Sequence, residues 1–131
     1  MFLVDASVWV ALAAPAEPFH LQAEALVGSE HSLAALDLTL YEVANAVGVK
    51  MANPARAARI GRIIARRCES RVAAIDREQL ESIADVAIHH GLSAYDAAYV
   101  AAARRHGWQL VSIDHRDLVS KGLAVTPDAA V

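Results

Sequence analysis

Short apolar runs that stop at an acid, each followed by a helical pattern, recur along this 131-residue chain. They narrow its architecture more than any other feature. The first is Phe2-Leu3-Val4, which ends at Asp5. A run without polar alternation has no face to give to water, so it reads as a strand buried between two layers, the habit of parallel sheets. Further strands are expected over 32–36, 72–75, 109–113 and 123–126. Helical patterns cover 6–14, 19–27, 39–52, 54–70, 77–90 and 93–106, with a short helix between Asp114 and Lys121. Punctuation supports these boundaries. Pro15 and Pro18 close the first helix, Gly28 the second, and Asn53-Pro54 parts the third from the fourth. Asp76 caps the fifth, and Gly91 and Gly107 follow the last two long ones. Strand–helix alternation with short connections predicts right-handed crossovers. The expected fold is therefore a three-layer α/β/α sandwich around a mainly parallel sheet of about five strands. No repeat or linker divides the chain, so residues 1–131 are expected to form a single domain.

Composition removes several alternatives. Apolar residues make up 56% of the chain, among them 29 alanines, against only 6 Gly and 4 Pro, which excludes a disordered or collagenous chain. Cys68 has no disulfide partner within the chain, and no Cys/His spacing suits a zinc site. Met1-Phe2-Leu3-Val4-Asp5 has no basic segment before its acid, so no secretory signal is expected. The longest apolar stretch, 6–16, is short for a bilayer and holds Pro15, so no membrane span is expected either. A cytoplasmic, reducing location follows as the expectation.

The net charge of −3 exerts no general pull on nucleic acid, but its distribution is uneven. Arg56, Arg59, Arg62, Arg66, Arg67 and Arg71 hold half of the twelve basic residues. The helical pattern places Ala57, Ile60, Ile64, Ala65 and Cys68 on one side and most of these arginines on the other. This is the candidate nucleic-acid footprint, with a solvated helix face as the plainer alternative.

Four acids fall where an open parallel sheet binds its ligands, beyond the carboxyl ends of the strands. Asp5 follows the first strand and Asp114 the 109–113 strand, while Glu42 and Asp96 are expected in the first turns of helices starting at the same edge. Each has a plain structural reading. Thr39-x-x-Glu42 and Ser93-x-x-Asp96 match the capping box, and Asp5 and Asp114 suit N-caps. Capping, however, does not require the four to meet. If they do, their repulsion calls for a cation, and an all-carboxylate set without Cys or His suits Mg²⁺, with Mn²⁺ also fitting. Such sites act on phosphates.

Val4-Asp5-Ala6-Ser7, Leu40-Tyr41-Glu42-Val43-Ala44-Asn45-Ala46, Ser93-Ala94-Tyr95-Asp96-Ala97-Ala98-Tyr99 and Val111-Ser112-Ile113-Asp114 resemble, in order and spacing, the successive motifs of PIN-domain ribonucleases. Within these, the likeness is to VapC-type toxins of toxin–antitoxin pairs. It runs from Asp5 to about Leu118. The resemblance implies a metal-dependent endoribonuclease of PIN-like fold, homodimerisation, and a VapB-type antitoxin that blocks the site. By position, Asp5, Glu42, Asp96 and Asp114 match its acidic quartet. Asp5 and Asp96 would contact the ion directly, and Glu42 and Asp114 would complete its surroundings. Ser7 matches a small hydroxyl residue beside the first acid, and Ser112 stands where the family usually has Thr. Asp117 resembles an extra acid of some members, although a surface acid at the start of a short helix needs no such role. Arg59, Arg62 and Arg66 become candidate contacts for RNA or for the antitoxin. The expected reaction is in-line attack of a metal-activated water, leaving a 5′-phosphate and a 3′-hydroxyl.

Two other functions are compatible with part of the pattern. One is a phosphotransfer or phosphatase module with Asp5 as nucleophile. Ser7 stands where the phosphatase pattern wants a second Asp, and 2–5 lacks the acidic pair of a receiver domain. The other is a binding module whose acids only cap helices. Trp9 and Trp108 are expected in the core or a subunit contact, His115 near the phosphate site or merely exposed, and Cys68 as a small apolar side chain.

Overall fold

A computed structural model describes residues 1–131. β1 (Phe2–Val4) leads through Asp5 into α1 (Ala6–Ala13), and α2 (His20–Val27) brings the chain to β2 (Leu33–Leu36). α3 (Asp37–Val43) continues into a π-helical stretch (Ala44–Lys50), and α4 (Pro54–Cys68) returns to β3 (Val72–Ala73). A 3₁₀ turn (Arg77–Gln79), α5 (Leu80–His90) and α6 (Ala94–His106) then lead to β4 (Gln109–Val111). A π-helical turn (His115–Val119) and α7 (Pro127–Ala130) follow.

The sheet has the order β3-β2-β1-β4, and every pair is parallel. Its register keeps like faces together. Leu3 pairs with Ala34 and Leu110, and Leu36 with Ala73, all facing one core with α5 and α6. Val4 pairs with Val111, Phe2 with Leu33 and Ala35 with Val72, all facing a second core with α1, α3 and α4. Both faces are thus covered, as the unbroken apolar runs require. In β2 every residue of Leu33-Ala34-Ala35-Leu36 is buried, so the central alanines face packed helices on either side. The same economy governs α6, where all residues from Ala97 to Ala103 are buried. Gly91 and Gly107, at φ 66° and 69°, end α5 and α6 in the left-handed conformation that glycine adopts without strain.

Four strands form rather than about five. The 123–126 segment contributes only a single bridge, Val111 to Val125, because the chain turns at Gly122 (φ 71°) and enters α7 at Pro127. Two other strands are shorter than their apolar runs because their amides are claimed elsewhere. The Ile75 N–H donates to Asp37 Oδ2 (3.4 Å), the Ser112 N–H to Val125 O (3.0 Å), and the Ile113 N–H to Ser7 Oγ (3.1 Å). Helix starts agree better. Asn53 Oδ1 caps α4 by accepting from the Arg56 N–H with Pro54 just inside, and Asp76 makes a reciprocal cap with Gln79.

The arginine-rich helix is amphipathic, with Ile60, Ile64 and Cys68 buried, but its cations divide into two groups. Arg67 donates to Val27 O (2.6 Å), Ser29 O (3.1 Å) and His31 O (3.1 Å), tying the end of α2 to α4. Arg71 donates to Leu33 O (2.9 Å), and Arg56 to Ala13 O (3.2 Å). These three satisfy carbonyls at the ends of α1 and α2 and at the start of β2. Arg59, Arg62 and Arg66 are exposed and form no ion pair. Arg67→Ala is accordingly expected to destabilise the fold by about 1–3 kcal/mol, and Arg62→Ala by less than about 0.5 kcal/mol, in urea titrations.

Candidate active site

The chain leaves β1 toward β2 but reaches β4 from β3, across the opposite edge. The neighbours β1 and β4 therefore mark the place where the winding reverses, the position at which open parallel sheets form a ligand crevice beyond their carboxyl ends. Asp5 and Asp114 stand on its two sides. The Asp5 N–H still pairs with Val111 O (3.1 Å), while its carboxylate turns up to cap α1, accepting from the Ser7 N–H (3.0 Å) and the Ser7 hydroxyl. Asp114 caps the turn after β4, accepting from the Asp117 N–H (3.0 Å). Two hydroxyls join these loops. Ser7 Oγ lies 3.3 Å from Ser112 Oγ, and Ser112 Oγ accepts from the Asp114 N–H (3.0 Å). Ser7 and the fully buried Ser112 thus fasten the backbone under both acids.

Glu42 reaches the crevice by another route than the capping spacing implies. Because α3 begins at Asp37, Thr39 lies inside the helix and Glu42 in its second turn. Thr39 Oγ1 accepts from the Leu36 N–H (3.1 Å) and meets Tyr99 Oη at 2.8 Å; Tyr99 in turn donates to Glu42 Oε1 (2.8 Å). An ionised Glu42 only accepts, so the Tyr99 proton points to it and the Thr39 proton must point to Tyr99. The result is a one-way chain from a strand amide to the carboxylate. Tyr99 was not among the residues singled out from sequence. The available signal was its place one turn after Asp96, on the same side of α6. Asp37, the acid directly after β2, instead receives the Leu38 and Ile75 amides.

Asp96 lies in the first turn of α6, where its N–H donates to Ser93 Oγ (3.2 Å). Carboxylate oxygens of Asp96, Asp114 and Asp117 all lie within 4.8 Å of one another. The tightest cluster thus contains Asp117, while Asp5 and Glu42 stand on its flank. Burial lifts the Asp5 carboxyl to about 7, helped by the charges of Glu42 and Asp96 and opposed by the Ser7 and Ser112 hydroxyls. Burial also raises Glu42, against the Tyr99 hydrogen bond, with the Asp96 charge adding to the rise. Asp96 rises through burial and through the charges of Asp114 and Asp117, with Ser93 and Lys121 opposing. Lys121 is the cation that acts on Asp96; no arginine of α4 does so. Converging, partly desolvated carboxylates with no soft donor among them fit a hard divalent cation.

The neighbouring aromatic and histidine side chains are otherwise occupied. His115 packs against Phe19 (5.6 Å between ring centroids), Trp9 is fully buried, and Trp108 stacks on His106 at 4.1 Å. Burial pushes the Cys68 thiol up to about 11, leaving it protonated and inert. No helix is long and apolar enough to cross a membrane.

Two outcomes follow for the metal-free protein. Folding moves the Asp5 carboxyl from 3.8 up to about 7, so the native state keeps a proton there that the unfolded chain has released. Stability from this group is complete below about pH 4 and is lost as pH rises through about 7. With chelator present, the melting temperature is expected to be lower at pH 8 than at pH 5. Asp5→Asn, which keeps a cap acceptor, should shrink that difference; an unchanged pH dependence in the variant would contradict the assignment. Tyr99→Phe is expected to cost about 1–3 kcal/mol in denaturant titrations, because it strands the Thr39 hydroxyl and removes the donor to Glu42.

The family model described as PIN domain matches residues 2–121. Ribonuclease VapC3 of Pyrobaculum aerophilum is 36% identical over 130 residues, covering 95% of this chain and 98% of that protein. Exonuclease VapC9 of the same organism is 33% identical over 127 residues, covering 92% and 84%. Among solved structures, VapC20 of Mycobacterium tuberculosis, described as a sarcin–ricin loop cleaving toxin, superposes with a TM-score of 0.78 at 22% identity, covering 93% of this chain and 95% of its own. The chain belongs to the PIN domain family.

Proposed function

We propose that this protein is a divalent-metal-dependent endoribonuclease, the toxin of a cytoplasmic toxin–antitoxin pair. The observation that carries the reading is the convergence of Asp96, Asp114 and Asp117 at the β1–β4 crevice, flanked by Asp5 and Glu42. The names of the two relatives, a ribonuclease and an exonuclease, support cleavage of a nucleic-acid backbone, and the choice of internal cleavage is ours.

Asp5, Glu42, Asp96 and Asp114 would hold the ion, with Asp117 as a fifth carboxylate. Mg²⁺ suits this donor set, and Mn²⁺ substitutes on the same grounds. When bound, such an ion polarises the scissile phosphate and its attacking water and neutralises charge on the leaving oxygen. The chain's own part is positioning. Ser7 and Ser112 fix the loops carrying Asp5 and Asp114, and Tyr99 fixes Glu42, so little reorganisation remains at the moment of reaction. Without a cation the same carboxylates repel an RNA backbone, so substrate and metal are expected to bind together.

Neither rival accounts for the arrangement as well. An Asp5 nucleophile lacks the second Asp of the phosphatase pattern, whose place is taken by Ser7, a donor to Asp5 Oδ1. Capping alone explains Asp5 and Asp114 but leaves the approach of Asp96 to Asp114 and Asp117 a pure cost. For the antitoxin, a groove between α1, α2 and α4 offers Leu12, Pro15, Ile60 and Ile63 beneath Arg56 and Arg59, a fit for an acidic amphipathic segment. Arg62 and Arg66 extend that basic face along α4. In the proposed homodimer, the exposed Leu40, Val49 and Met51 are the apolar surface to be covered.

The test is cleavage by purified protein of linear and circularised RNA with Mg²⁺. Both should be cut, the new ends carrying 5′-phosphate, and chelator should stop the reaction. Asp96→Asn should lose on the order of a hundred-fold or more in rate while melting normally. Near wild-type cutting by that variant would overturn the site. Circular RNA left intact while linear RNA shortens would make the enzyme an exonuclease.

A further inference from the structure

Tyrosine is scarce in this chain, with three in all, and their environments differ sharply. Tyr99 is buried at 1% exposure, whereas Tyr41 and Tyr95 are 77% and 63% exposed. Both exposed rings line one groove of about 480 Å³, whose walls also include Glu42, Asn45 and Asp96. Each immediately precedes a site acid, in Tyr41-Glu42 and Tyr95-Asp96. On a helix, neighbours in sequence point about 100° apart. A tyrosine in that position therefore flanks the acid rather than sharing its direction. One exposed tyrosine needs no explanation. Two, from separate helices, converging beside the same pair of carboxylates do.

We infer that Tyr41 and Tyr95 hold an unpaired nucleobase of single-stranded RNA next to the scissile phosphate, with Asn45 facing the base edge; this rests on the nuclease reading above. Charge selects the occupant. Glu42 and Asp96 make the groove hostile to a phosphate that lacks a cation, while a neutral base meets no such repulsion and gains from covering two aromatic faces. Aromatic stacking of this kind accepts any base, because each presents a π-face. Sequence preference falls to Asn45, which offers both donor and acceptor.

The experiment uses the whole protein and a short oligouridylate carrying one 2-aminopurine riboside, whose fluorescence falls on stacking. Wild type with Ca²⁺ in place of Mg²⁺ should quench the probe. Tyr41→Ala and Tyr95→Ala should each weaken binding by about ten-fold or more, and the Phe variants should restore it. In cleavage assays the Ala variants should raise KM by a similar factor while kcat changes by less than about two-fold. Absence of quenching by wild type overturns the inference. So does Ala-variant binding equal to wild type, as does loss of self-association in sedimentation with probe binding intact, which would assign the rings to a contact between copies. Quenching without any cleavage would uphold the base site and sink the nuclease reading, so the two failures are separable.

Discussion

The parallel pairing of β1 with β4 is the constraint on which the rest depends. Phe2 with Gln109, Leu3 with Leu110 and Val4 with Val111 set two strands of equal length in register, so their carboxyl ends stop at one level. Asp5 and the Ser112–Asp114 loop are then neighbours without further design. The Ser7 hydroxyl completes the arrangement by taking the Ile113 amide that the ladder no longer uses. A one-residue slip would send Leu3 and Leu110 to opposite cores and break this link at once. Register, held by apolar side chains in two cores, therefore holds a polar site that those cores reach only through the Tyr99 hydroxyl.

That site carries a standing electrostatic cost. Three of its acids are displaced toward protonation, with burial the leading cause in each and like charges adding to it. The surroundings lower the cost only in part, through the Ser7 and Ser112 hydroxyls at Asp5, Tyr99 at Glu42, and Ser93 and Lys121 at Asp96. Lys121 is itself committed to His90 O (2.7 Å), which keeps it at the rim. A fold selected for stability alone would replace some of these acids. Their convergence is the mark of a requirement other than folding.

Much of this was legible in the amino-acid order, and what was not has identifiable reasons. Asp5 and Asp114 could be placed because each ends an apolar run, a strictly local signal. Glu42 reaches the crevice by a route that the spacing did not show: the Thr39 spacing suggested a cap, but α3 starts at Asp37 and the hydroxyl serves Tyr99. Helical periodicity reports which side of a helix is buried, not which partner helix it meets, so the Tyr99–Glu42 contact between α6 and α3 lay beyond it. The fifth strand failed for a similar reason. An apolar run over 123–126 says nothing of the turn at Gly122 or of α7, which leave only Val125 to pair. Six arginines at helical spacing look alike in sequence; only the positions of the α1, α2 and β2 carbonyls separate Arg56, Arg67 and Arg71 from the three that face solvent.

The choice between capping and chemistry, which the sequence pattern poses as an alternative, dissolves in the structure. Asp5 and Asp114 both cap helical turns through one oxygen, Oδ1 in each case. A carboxylate has a second oxygen and more lone pairs than a cap consumes. Capping therefore orients these side chains before any ion arrives, and it does so with backbone amides that exist whether or not the ion does. Tyr99 plays the same part for Glu42 with a side-chain donor. The consequence is a division of dependence. Two apolar cores and amide-held acids set the fold through contacts within the chain, while the same acids, aimed at one another, concentrate negative charge that a cation could neutralise.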